Sequence, residues 1–138
     1  MQYSLHLSMD DMLLLHEHAD TNLPNEAIAL IFGNVSGTSI FVKHIELVSN
    51  SSSTRVTSFK VDPEVQYRLL VEAEERNEEL VCIFHSHPAP PYPSKTDVRN
   101  MELNPVVWLI ASKNSGSWES MAYIFVNDEV EEVGLVLS

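Results

Sequence analysis

Several common kinds of function are excluded by what this chain lacks. It carries one cysteine, Cys82, so no internal disulfide can form, and such usage fits a reducing compartment. Only 8 Lys and Arg residues stand against 20 Asp and Glu, a formal charge of -12. A nucleic-acid binder needs a cationic face, and an anionic membrane surface would repel this one. No run is long and apolar enough for a membrane span. The start Met1-Gln2-Tyr3-Ser4-Leu5-His6 lacks the basic and apolar regions of a signal peptide, so a cytoplasmic location is expected. The HExxH pattern of many zinc proteases is absent. There is no internal repeat, and low complexity is confined to Ser49-Asn50-Ser51-Ser52-Ser53-Thr54.

What remains is a chain of 138 residues with 44% apolar and 20% charged residues, the profile of one ordinary globular domain spanning residues 1–138. The acidity is first of all a solvated surface. Ser8 followed by Asp10 and Asp11 caps a first helix over residues 9–21, with Met12, Leu15 and Ala19 at helical spacing. Pro24 stops it. Residues 27–32 form a buried strand, residues 33–37 a hairpin turn and residues 38–48 a second strand. After the serine-rich loop, a short strand is expected over residues 56–61. Asp62-Pro63 then starts a second helix that runs to about residue 77 and buries Val65, Leu69, Leu70 and Ala73. Strands follow over residues 80–87, 106–111, 120–126 and 130–137, with a third helix from Ser94 and a turn at Asn114-Ser115-Gly116. The fold class is α/β (α+β), a mixed β-sheet flanked by helices.

The chemistry concentrates at His85-Ser86-His87-Pro88, just after the apolar run Leu80-Val81-Cys82-Ile83-Phe84. Residues i and i+2 of a strand point to one side, so His85 and His87 can converge on one metal ion, and a carboxylate such as Asp97 could supply a third ligand. Three protein ligands leave a tetrahedral position open for water, the arrangement of a catalytic zinc site. A plainer reading stands beside it, two strand-end histidines bonded to nearby backbone. Ser94-x-x-Asp97 is likewise also a helix-capping pattern. His16-Glu17-His18 has the same spacing on a helix, where i and i+2 diverge, so it is no chelate. His6 and His44 have no partner pattern. Pro90, Pro91 and Pro93 restrict the loop between the two halves of the motif. Cys82 has the wrong strand parity to join the histidines and reads as a buried small apolar residue.

His85-Ser86-His87-Pro88 followed by Ser94-x-x-Asp97 resembles the signature of the JAMM (or MPN+) zinc metalloproteases, which remove ubiquitin or ubiquitin-like modifiers from lysine side chains. Pro24-Asn25-Glu26-Ala27 before an apolar strand, 59 residues ahead of His85, matches the family's upstream glutamate. Phe59-x-x-Asp62-Pro63 and Trp108-Leu109-Ile110-Ala111 extend the resemblance over nearly the whole chain. One departure lies in the proline loop, where six residues separate His87 from Ser94, one fewer than the family usually has. The resemblance implies an MPN/cytidine-deaminase-like fold and one Zn2+ per chain bound by His85, His87 and Asp97. It further implies Glu26 as general base and Ser94 as hydrogen-bond donor to the oxyanion. The implied partners are ubiquitin or ubiquitin-like modifier conjugates, and residues 49–58 are the candidate contact for a modifier tail. Two alternatives stay open: a peptidase trimming a sulfur-carrier protein or small peptide, and a non-catalytic MPN scaffold module.

Overall fold

The structure is a computed structural model that describes residues 2–55, 59–88, 90–113 and 116–138. Its elements in chain order are β1 (Ser4–Leu7), α1 (Met9–Asn22), β2 (Ile28–Ser36), β3 (Ser39–Val48), α2 (Pro63–Glu75), β4 (Glu79–Ser86), α3 (Lys95–Leu103), β5 (Val107–Ser112), β6 (Glu119–Val126) and β7 (Glu129–Leu137). The sheet runs β1-β3-β2-β4-β5-β6-β7 and closes where β1 pairs in parallel with β7. β4 and β5 are also parallel, and β2 is antiparallel to both β3 and β4.

Strands β2, β4 and β5 are covered on both faces, which is why they read as continuous apolar runs. On one face, α1 lays Met12, Leu15 and Ala19 against Ala29, Ile31, Cys82, Phe84 and Leu109. On the other, Leu69 and Ala73 of α2 and Met101 of α3 pack on Leu30, Phe32, Ile83, Trp108 and Ile110. Strand alternation therefore fixes which face each residue of β4 serves. Cys82 and Phe84 face α1, whereas Ile83 faces α2 and α3, the side on which His85 also falls.

Several expectations are corrected, and one strand was not expected. Residues 33–36 are not a turn: β2 continues through Gly33 to Ser36, with a register shift between Phe32 and Gly33 against β3. β1 has no counterpart in the sequence reading, because four residues with no long apolar run gain their support from parallel partners far along the chain. The second helix ends at Glu75 because Asn77 takes a left-handed conformation (φ 60°). The amides of Asn77 and Glu78 then bond to the carbonyls of Glu74 and Ala73 at 3.0 and 2.9 Å, a Schellman closure. Leu70 is exposed rather than buried, since α2 presents Leu69 and Ala73 to the sheet. The strand expected over residues 56–61 falls partly outside the described residues, and its described part, residues 59–61, is not strand; the turn at residues 114–116 also falls partly outside.

Gly33 shows why the bulge accepts no side chain. A Cβ there would overlap the Phe41 carbonyl oxygen and stand 2.9 Å from its carbon and 3.1 Å from Lys43 N, all backbone atoms that cannot swing aside. Gly33→Ala is expected to lower stability by about 2 kcal/mol or more, read as an earlier thermal unfolding midpoint. An unchanged midpoint would show that the bulge can widen freely.

Candidate metal centre

His85 is paired with Ile28 of β2 and Ile110 of β5 at the end of the two-faced part of the sheet. Its side chain is fully buried. The ring stacks on Phe59 at 4.7 Å between centroids and meets Trp108 edge-on at 5.9 Å. His87 lies one residue past β4 and is held there by its amide, which donates to Ala111 O at 2.8 Å. Beyond it the proline loop is anchored by Tyr123, whose hydroxyl donates to Pro91 O at 2.9 Å. Burial, with Glu132 and Tyr92 nearby, pushes that phenol up to about 12, so it stays a donor.

The loop ends at Ser94, the N-cap of α3, in a complete capping box with Asp97. Ser94 Oγ accepts from Asp97 N at 3.1 Å, and Asp97 Oδ2 accepts from Ser94 N at 2.9 Å. The capping reading and the ligand reading of Asp97 are thus compatible. The same oxygen lies 3.5 Å from His85 Nε2 and 3.6 Å from His87 Nε2. Both separations are too long for strong hydrogen bonds. They match the roughly 3.4 Å between ligand atoms of a tetrahedral ion with bonds of about 2.1 Å. All three ligand atoms lie within 4.8 Å of one another. Nε2 of His85 is buried and has no hydrogen-bond partner among the described residues, nor has Nδ1 of either ring. A buried ring nitrogen aimed at a carboxylate but not bonded to it is what a coordination site requires. The residues fit a divalent metal.

Two carboxyls beside this cluster are driven in opposite directions. Burial works to raise Asp97, but the adjacent His85 ring and the hydrogen bonds from Ser94 outweigh it and hold the carboxyl at about 2. Glu26 is buried, and desolvation, reinforced by the negative charge of Asp97, pushes its carboxyl up to about 8. Its backbone is clamped on both sides by the serine-rich loop: Glu26 N donates to Arg55 O at 2.6 Å, and Asn50 Nδ2 donates to Glu26 O at 2.9 Å. The next residue is tied to the histidine strand. Ala27 N donates to Ser86 Oγ at 2.8 Å, and Ser86 N donates to Ala27 O at 3.0 Å. A cavity of about 480 Å³ opens here, with Glu26, His87, Leu23, Pro24, Lys113 and Trp118 in its walls.

The structure therefore brings His85, His87 and Asp97 into one cluster and sets Ser94 and Glu26 at its edges. The remaining histidines are elsewhere engaged. His16 Nε2 is 2.7 Å from Ser120 Oγ, His18 Nε2 is 2.8 Å from Ile28 O, and His44 Nε2 is 2.7 Å from Glu46 Oε1. Cys82 is fully buried, and burial pushes its thiol far above the usual range, so it offers no nucleophile. Sequence reasoning missed the ring contacts of Phe59 and Trp108, the tether from Tyr123 and the reach of Ser86 to Ala27. All four are contacts across sequence gaps of 23 or more residues.

Comparison with known proteins agrees with this arrangement. Residues 10–124 match the family described as prokaryotic homologs of the JAB domain. The chain is 38% identical over 98 residues to a desampylase from Pyrococcus furiosus, covering 70% of this chain and 67% of that protein. It also resembles a solution structure of a Desulfitobacterium hafniense protein, with a TM-score of 0.83 and 27% identity over 97% of this chain and 92% of that one. The chain belongs to the prokaryotic JAB-domain family and is a hydrolase of the JAMM type.

Proposed function

We propose that this chain is a zinc-dependent isopeptidase that hydrolyses the amide bond after the C-terminus of a ubiquitin-like modifier. Its likeness to a desampylase supports that substrate class. The observation that carries the reading is the cluster of His85 Nε2, His87 Nε2 and Asp97 Oδ2 at 3.5–3.6 Å beside a buried Glu26.

His85, His87 and Asp97 would hold the ion. Zinc bound there supplies Lewis acidity, which makes hydroxide available near neutral pH. The two rings reach the centre from alternate positions at one strand end, and Phe59 and Trp108 enclose the His85 ring. Asp97 stays ionised at any physiological pH because its carboxyl sits at about 2. Glu26 takes the proton of the attacking water and gives it to the leaving amine. A carboxyl moved upward from the usual range suits a group that must accept and release a proton in every turnover. Ser94 Oγ accepts from Asp97 N and keeps its own proton, with which it donates to the oxyanion. Residues 49–58 are the candidate contact for the modifier's tail; residues 56–58 lie outside the described residues, and Asn50 and Arg55 bond to the backbone of Glu26.

The test is a panel of ubiquitin and ubiquitin-like modifiers, each joined to a lysine side chain or fused linearly, incubated with and without a chelator. Cleavage of lysine conjugates is expected, with one zinc per chain and complete loss on chelation that added zinc reverses. Turnover that survives full metal removal sinks the mechanism. Preference for linear fusions would instead assign a trimming peptidase. Glu26→Gln is expected to retain stoichiometric zinc while kcat falls by about 100- to 10,000-fold. Unchanged turnover in that variant removes Glu26 from the chemistry. His85→Ala is expected to abolish zinc uptake and activity together, read by metal analysis of the purified variant.

A further inference from the structure

The proposed chemistry assigns the two ends of the scissile amide to different residues. The nitrogen lies within reach of Glu26, and the carbonyl oxygen lies on the side of Ser94. The cavity of about 480 Å³ has His87 of the metal cluster and the neighbouring Glu26 in its walls, whereas Ser94 and Asp97 are not among them. It therefore extends from the nitrogen's side of the bond. Leu23, half exposed, Pro24 and Trp118 give it an apolar wall, beside the polar Asn25, Ser112 and Lys113.

Trp118 is fixed before any ligand enters. Its indole stacks with His16 at 6.2 Å between centroids, and its Nε1 donates to Asp20 Oδ1 at 3.1 Å. The same oxygen accepts from Lys113 Nζ at 2.9 Å, so the lysine's charge at the cavity rim is offset by an acid of α1. A wall whose rotamer is already held loses little freedom on binding.

Resting on the roles given above to Glu26 and Ser94, we propose that this cavity is the leaving-group subsite. It takes the aliphatic stem of a substrate lysine acylated at Nε, and Trp118 and Leu23 set specificity for that leaving group. Before cleavage the lysine nitrogen is a neutral amide, so the occupant is a run of methylenes with no charge to solvate. Methylenes laid on an apolar wall gain in proportion to the area removed from water. A leaving group without that stem leaves the wall wet and gains nothing from it.

The test takes the modifier that the chain cleaves in the panel above and joins its C-terminal carboxyl to two amines. One is the Nε of Nα-acetyl-lysine amide; the other is methylamine. Trp118→Ala is expected to lower kcat/KM about tenfold on the lysine conjugate, chiefly through KM, and less than about threefold on the methylamide. Leu23→Ala is expected to shift the same ratio by about threefold in the same direction. Because Trp118 also packs against the core beside α1, zinc content and thermal unfolding are measured for each variant. If Trp118→Ala does not fold, Leu23→Ala and Trp118→Phe decide. Equal losses on the two amides, or no loss on either, overturn the subsite and leave the hydrolytic reading standing. If the unaltered, zinc-loaded chain cleaves neither amide, the hydrolytic reading itself fails, and the subsite with it.

Discussion

A histidine ring with no access to solvent sets the terms for one end of this sheet. His85 is enclosed by Phe59 and Trp108, and its Nε2 finds no hydrogen bond among the described residues. Leaving such a group unsatisfied costs about 1–3 kcal/mol, a sizeable share of the roughly 5–15 kcal/mol that separates folded from unfolded chains. A leucine or phenylalanine would fill the same space between the two aromatic rings without that cost. The ring is therefore retained for its nitrogen and not for its packing. With Asp97 Oδ2 at 3.5 Å, the nitrogen is aimed at a shared point rather than at a partner.

Asp97 satisfies two demands with one oxygen. It accepts the Ser94 amide that opens α3, and it faces both ring nitrogens. A helix N-terminus favours a negative charge, so the cap that fixes the position of the carboxylate also favours its ionised form. Among the described residues Glu26 has no such donors to its side chain, and desolvation together with the charge of Asp97 drives it the other way. Two carboxyls of ordinarily similar acidity are thus driven in opposite directions, to about 2 and about 8. Neighbouring carboxyls forced apart in this way are suited to different work, one as a permanent anion and the other as a proton carrier.

What was legible in the sequence was whatever depends on local spacing. The i, i+2 pair on a strand, the Ser94–Asp97 cap and the Asp62-Pro63 helix start each follow from one stretch of chain, and the structure reproduces all three. The contrast between His85-Ser86-His87 and His16-Glu17-His18 was legible for the same reason, since period alone separates a strand from a helix. Glu26 was not legible from physics: an acid after a proline turn looks like any other, and only the family resemblance singled it out. β1 and the continuation of β2 through Gly33 were lost because pairing with distant strands, and not local propensity, decides them. The wall made by Trp118 was lost likewise, as its orientation depends on His16 and Asp20, about a hundred residues earlier.

Ser86 shows how much of the site a single register controls. Alternation along β4 sends the rings of His85 and His87 to the face of α3 and the hydroxyl between them to the face of α1. There it meets Ala27 N, while its own amide returns to Ala27 O. Three consecutive residues thereby fix one candidate ligand, the backbone beside Glu26 and a second candidate ligand. The distance from the acid to the metal cluster is then set by the β2–β4 ladder, in which Ile28 stands opposite His85. A slip of one residue in that ladder would turn both histidines toward α1 and the serine toward Asp97. The long, doubly buried apolar strands prevent it, because every core residue would have to exchange faces at once. The hydrophobic pattern of β2, β4 and β5 is in this sense what holds an acid 59 residues away in reach of the histidines.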